Sequence, residues 1–455
     1  METKQLAEFV AGLQYADLTE NAILQAKMCV EDIIGVAIAG ESNQTHRLFS
    51  QALSGVLNHT GVSTIWGKGF PKTSALEAAT LNGSAGHVLD MDDLHNASIV
   101  HIGIVTIPTA LAVAEELAAD GRDLLLSIVA GYDVAARIGA AINPESYKYW
   151  HTTGVAGTFS AAAAAAKLKG FNADQLCSCF GTAGSQAAGL LEFLSDGAMS
   201  KSLHTAKANF NGILSAQLTS VGYTGATEIL TGEKGMLGAM AGGGHPNRLT
   251  TNFAQPLQIE MNSFKPYACC RHIHAGIYAV QKLMRSHSLD YRDVNRIEDR
   301  TYSVAVETAS NKNPKTVYGR KFSIEYCLAA AVVLGDVLPE AFTESTADDP
   351  RIAALMSRVG VQADPELDKV FAENPDKWLH TVTIVLNSGE TFTEHVDYPI
   401  GDYKNPYHWE DIDGKFRRLT ACSMTEAMQD VLLERIHNLE NVRNVRELFY
   451  FEGCD

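Results

Sequence analysis

The chain is short of positive charge, with 36 Lys and Arg against 53 Asp and Glu in 455 residues and a formal net charge of −17. Nucleic acids and anionic membrane surfaces are gripped through basic footprints, so neither is expected as a partner. An anionic ligand would need cations gathered locally. No apolar run reads as a membrane span, and Met1-Glu2-Thr3-Lys4-Gln5-Leu6 lacks the charged-then-apolar order of a secretory signal, so the expected location is cytoplasmic. Eight cysteines do not make a disulfide framework in a chain this long, and the close pairs Cys177/Cys179 and Cys269/Cys270 lack zinc-knuckle spacing. They read as buried reduced thiols, and no metal is expected.

Apolar residues are plentiful, at 46% of the chain, enough for more than one core, and two domains are expected at this length. Helical periodicity marks 20–39, opened by Thr19 and stopped by Gly40, then 74–86, 106–117, 122–142, 158–169, 173–191 and 207–221. The alanine run 161–166 predicts closely approaching helices. Past Asn262 the pattern alternates instead, over 297–306, 381–386 and 391–395, with Asn387-Ser388-Gly389-Glu390 as a hairpin turn. Helices are expected between these strands at 323–337 and 351–359. Helix returns at 423–439, behind a Ser423/Glu426 capping box, and at 441–448. The fold class is therefore mainly α with an α+β insertion: a helical domain over 1–262, an antiparallel-sheet lid over 263–397, and a return to the helical domain over 398–455.

Four segments concentrate reactive groups. The first, from Gly86 to His101, packs Asp90, Asp92, Asp93, His87, His95 and His101 into sixteen residues with apolar flanks. Buried acids and imidazoles cost several kcal/mol unless paired or used, so this reads as an active-site wall. In a helix, Asp90 and Asp93 would share a face that Asp92 would not. The second, Tyr149-Trp150-His151-Thr152-Thr153-Gly154, places an imidazole at a helix entrance, as a cap or as a proton-transfer group beside an anion. The third, Lys201-Ser202-Leu203-His204 with Lys207, opens a helix with cations, which opposes the macrodipole unless an anion is near; Lys207 reads as solvated. The fourth, Lys265-Pro266-Tyr267-Ala268-Cys269-Cys270-Arg271-His272-Ile273-His274, lies at the expected joint between domains, where small-ligand sites concentrate.

Taken together and in this order, these segments resemble the MmgE/PrpD family, which includes 2-methylcitrate dehydratases, cis-aconitate decarboxylases and iminodisuccinate epimerases. Asp32-Ile33-Ile34-Gly35-Val36-Ala37, Arg320-Lys321-Phe322-Ser323-Ile324-Glu325-Tyr326 and Lys415-Phe416 extend the likeness along the chain. The resemblance implies a helical domain with a smaller α+β lid, a homodimer, and chemistry without a cofactor on a small anionic substrate in the cleft. It makes Asp90 the active-site aspartate, His101 and His151 the active-site imidazoles, and Lys265 the cleft lysine. On this basis His101 and His151 form a base and acid pair. Asp90 orients one imidazole, Lys265, Lys201 and Arg271 anchor carboxylates, and His204, Asp93 and Cys270 join the substrate wall. The implied activity is a lyase dehydrating or decarboxylating a 2-methylcitrate- or cis-aconitate-like acid. An epimerase of an imino-dicarboxylate such as iminodisuccinate, or a silent carboxylate binder, are the alternatives. Leu94 and Ile102 stand where many family members have Thr and Pro, so the particular acid is left open.

Overall fold

The computed structural model describes residues 1–56, 60–253 and 256–451. Its frame is a stack of helices: α1 (Glu20–Gly40), α2 (Ala75–His87), α3 (Ile102–Leu117), α4 (Gly121–Ile142), α5 (Thr152–Leu168) and α6 (Lys201–Ser220). Helix α5 is central and packs against α3, α4 and α6. Its composition allows this, because residues 161–166 are alanines with no exposed surface and present only methyl groups to three neighbours. At the crossings even a methyl is too large. A Cβ on Gly212 would lie 2.3 Å from the Ala161 Cβ, and one on Gly157 would lie 2.7 Å from a Val105 methyl. Thr19, Ser74 and Asp120 cap α1, α2 and α4 through their side chains.

Helix α4 has the length and apolarity of a membrane span, which the sequence reading did not credit to any segment. Here it is a core helix, with most of its surface packed against neighbours and the Asp133–Arg137 ion pair (3.1 Å) held inside the protein. Six of the seven described cysteines are buried and free; Cys422 is exposed, and Cys454 lies outside the described residues.

The second layer contains α7 (His274–Ser286) and α8 (Ile324–Leu334) with strands β1 (Val294–Thr301), β2 (Val359–Ala363), β3 (His380–Leu386) and β4 (Thr391–Val396). The sheet order is β2-β1-β3-β4, with α7 laid against β3 and β4. The strands β1, β3 and β4 pair antiparallel, but β2 lies parallel to β1, which corrects the expectation of an antiparallel sheet. The expected helix to residue 359 ends at Met356, and the chain reaches β2 through a helical crossover, the connection a parallel pair needs. The strand expected over 297–306 stops at Thr301. There the Asp368 carboxylate accepts the Ser303 amide (2.6 Å) and hydroxyl (2.7 Å), starting the short helix Ser303–Ala309. After residue 398, α9 (Trp409–Thr420) and α10 (Glu426–His437) pack back on α1. The N-cap of α10 is Thr425, not Ser423.

Two outcomes test this packing. Gly212→Val should lower unfolding free energy by roughly 1–3 kcal/mol, the usual cost of overpacking, and an unchanged denaturation midpoint would mean α5 and α6 are not in close contact. Burial also pushes His46, His87 and His95 down from 6.5 to about 4, and His272 to about 3. Between those values and 6.5 the unfolded chain binds more protons than the folded one, so stability rises with pH in that window. Asp93 and Glu31, which burial raises to about 7 and about 8, act with the opposite sign, so the test is a comparison: the urea midpoint should fall less between pH 6.5 and pH 4.5 in His46→Gln than in the unchanged chain, and an equal fall would show the His46 imidazole to be solvated.

Candidate active site

The acid-rich segment is a loop between α2 and α3, not a helix, so the expected sharing of a face by Asp90 and Asp93 does not arise. Asp90 takes a left-handed backbone (φ 57°), which a short polar side chain tolerates better than most. Buried lysines hold the loop's carbonyls: Lys321 Nζ donates to Leu89 O (2.6 Å), and Lys415 Nζ donates to Met91 O (2.7 Å) while pairing with Asp32 (2.6 Å). Burial lowers the Lys321 ammonium to about 8.

The three acids of this loop part ways. Asp90 Oδ1 accepts from both Lys201 Nζ (2.8 Å) and Lys265 Nζ (2.9 Å). Burial pushes its carboxyl up, but the two ammoniums more than offset this and hold it well below the usual range. Asp92 Oδ2 lies 2.7 Å from His87 Nδ1 and 3.1 Å from His101 Nδ1, and those imidazoles likewise outweigh burial and keep it low. Asp93 turns away from both, accepting from the Gly103 amide (3.0 Å) and the Tyr132 hydroxyl (2.6 Å); burial raises it to about 7.

A narrow cavity lies between the helical and α+β layers. Asp90, His101, His151 and Lys201 line one side, and Cys270, Arg271, His272 and Trp378 the other. His101 and His151 are the N-cap residues of α3 and α5, yet neither side chain caps its helix, which leaves both rings for other use. His151 Nδ1 meets His204 Nδ1 at 3.0 Å, so one of the two rings donates and the other accepts. Burial, with His204, His87 and Lys201 nearby, holds His151 well below 6.5, and burial takes His204 to about 4. Arg271 Nη2 donates to Asp402 Oδ2 (2.8 Å), while its buried Nε has no protein partner. His272 stacks flat on Trp378 (4.1 Å, 7°), shares a short hydrogen bond with the Tyr302 hydroxyl, and leaves Nε2 buried and unpartnered. With the imidazoles neutral, Lys201, Lys265, Lys321 and Arg271 outnumber Asp90, Asp92 and Asp402 by one positive charge, a setting that favours an anion.

Of the residues expected from sequence, Asp90, His101, His151, Lys201, Arg271 and Cys270 line this cavity. Three do not. His204 stands behind His151, Asp93 braces α3 and α4, and Lys265 is fully buried behind Asp90. Asp90 orients no imidazole: that partner is Asp92, because the left-handed turn at Asp90 sends successive carboxylates to different neighbours. Lys265 Nζ donates to Asp90 Oδ1 and does not reach the cavity wall. Lys207 is half-buried and donates to Gln186 O (3.3 Å) and Ala188 O (3.1 Å), so its ammonium is not simply in water. His87, Asp402 and His272 were not picked out as site residues; only their closeness to other polar residues in the sequence signalled them. Burial raises the Cys270 thiol to about 12, so it remains a neutral thiol. Among the described residues, close sets of potential metal ligands are His87/Asp92/His101 and Glu31/Asp413/His437. In the first set the groups already bond one another.

Residues 4–249 match the MmgE/PrpD N-terminal domain, and residues 267–441 match the MmgE/PrpD C-terminal domain. Among curated relatives, the cis-aconitate decarboxylase-like protein oryM of Aspergillus oryzae is 26% identical, covering 98% of this chain and 96% of its own length. The cis-aconitate decarboxylase of Homo sapiens is also 26% identical, over 97% of this chain and 92% of that protein. A mitochondrial 2-methylcitrate dehydratase of Yarrowia lipolytica is 28% identical over 112 residues, 24% of this chain and 22% of its own. With both domains matched in order and a two-layer structure to suit, this chain belongs to the MmgE/PrpD family.

Proposed function

We propose that the chain is a lyase that dehydrates or decarboxylates a small polycarboxylate by imidazole-mediated proton transfer. The observation that carries this reading is two differently supported imidazoles, His101 and His151, facing one cavity with the cations Lys201 and Arg271. Relatives named as cis-aconitate decarboxylases and 2-methylcitrate dehydratase support the same class of reaction.

The Asp92 carboxylate fixes the His101 Nδ1–H and would stabilise the imidazolium formed when Nε2 takes a proton, which makes His101 the base. Burial and neighbouring positive charge keep His151 neutral. With Nδ1 accepting from His204, its Nε2–H is the donor. In dehydration, His101 removes the proton from carbon next to a carboxylate, the carbon–oxygen bond breaks, and the departing hydroxyl, held by the His151 Nε2–H, leaves as water with the proton that the His101 imidazolium gives back. In decarboxylation the bond to one carboxyl breaks, carbon dioxide leaves, and the electron pair spreads into the neighbouring unsaturated acid until an imidazole returns a proton to carbon. Lys201 and Arg271 hold the spectator carboxylates and stabilise the developing charge.

A panel of tri- and dicarboxylates incubated in deuterated water and followed by NMR should show loss of water or carbon dioxide with one acid. Inversion with no change in formula would instead make the protein an epimerase, and inertness toward every acid would leave a binder. With that acid, His151→Gln should lower kcat by roughly a hundredfold or more, as for loss of the donor that holds the leaving oxygen, at nearly unchanged melting temperature. Retained turnover in a protein that melts earlier would make His151 part of the scaffold.

A further inference from the structure

Lys201 and Arg271 line the inner end of the site, and the way out is mostly apolar. Leu94, with only 2% of its surface exposed, and Ile99 form the cavity wall beside the catalytic imidazoles. Ile99, Tyr147, Leu191 and Leu194 are shared with a wider mouth that continues outward past Tyr149, Leu190, Val304 and Phe371. Tyr149 and Leu190 keep 60% and 56% of their surface in water, and both border this one opening. Scattered exposed apolar side chains are ordinary, but a set continuous with a buried anion site marks a path for a ligand. The charged residues of the mouth are Lys148, Glu192 and Glu307, two acids against one base, with the Lys148 ammonium lying over the Tyr149 ring. A further substrate carboxylate would meet repulsion there, whereas methylenes would displace water from the leucine, tyrosine and phenylalanine surfaces.

We infer that the substrate carries an apolar substituent of several carbons, which lies in the mouth while its carboxylates occupy the inner end at Lys201 and Arg271. This inference rests on reading the inner cavity as a carboxylate site. A compact acid would fill that end and leave the mouth wet; an alkyl-substituted acid fills both.

The test is direct binding, independent of turnover, measured by calorimetry with succinate, tricarballylate and a series of 2-alkylsuccinates from methyl to hexyl. Affinity should rise roughly three- to fourfold per methylene over the first few carbons, the increment for moving a CH₂ out of water. Leu190→Asp should flatten this dependence on chain length. Tricarballylate or succinate binding with no gain, or a loss, as the chain lengthens would overturn the inference while leaving the carboxylate site intact. That outcome is also expected if a second copy of the chain covers the mouth. Failure of every acid to bind would remove the inner carboxylate site, and the inference with it.

Discussion

The structure turns on one buried carboxylate shared by two ammoniums. Asp90 sits on the loop after α2, Lys201 opens α6, and Lys265 begins the segment that leads into the second layer, so their meeting at 2.8 and 2.9 Å ties three distant parts of the chain together. Taking three charges out of water costs several kcal/mol for each, and the arrangement holds only because each ammonium faces the same oxygen at hydrogen-bonding distance. The shared Asp90 also leaves the trio with one positive charge in excess at the floor of the cavity. Without Lys265 the carboxylate would have a single partner; without Asp90 two ammoniums would be left facing each other in a dry site.

Around this trio the polypeptide uses lysine for an unusual purpose, holding backbone in place. Lys321 and Lys415 donate to the carbonyls of Leu89 and Met91, on either side of Asp90, and so fix a left-handed turn that few residues other than glycine adopt readily. The turn has a chemical consequence. It sends Asp92 toward His87 and His101 and Asp93 toward Tyr132, so one acid supports two imidazoles and the next braces the helices behind it. His101 and His151 receive opposite support. One ring rests on a carboxylate, the other on a second imidazole among positive charges.

The second layer contributes shape as well as charge. Arg271 is half-satisfied by Asp402 and keeps a buried Nε free, while Trp378 holds His272 flat beside it. Opposite them Leu94 and Ile99 close the wall with methyl groups. Charged and polar groups at one end and apolar surface toward the exit divide the cavity by chemistry.

Helical periodicity determined the six-helix frame, since an apolar stripe every three to four residues needs no knowledge of its neighbours, and the alanine run 161–166 already implied the close packing of α5. The change to alternation after Asn262 likewise determined where the sheet begins. The clustering of Asp, His, Lys and Arg in four short segments was legible too, because buried charge is rare enough to mark a site wherever it gathers. Tertiary structure alone decided the pairings. Which of Asp90, Asp92 and Asp93 meets an imidazole depends on a single backbone angle at Asp90, and whether Lys265 faces ligand or protein depends on a partner 175 residues away. The parallel strand β2 was hidden for the same reason, since its direction is set by the crossover that precedes it and not by its own residues. Local pattern reports which face of an element is apolar; ion pairs, imidazole partners and strand direction arise between elements, where sequence separation carries no distance.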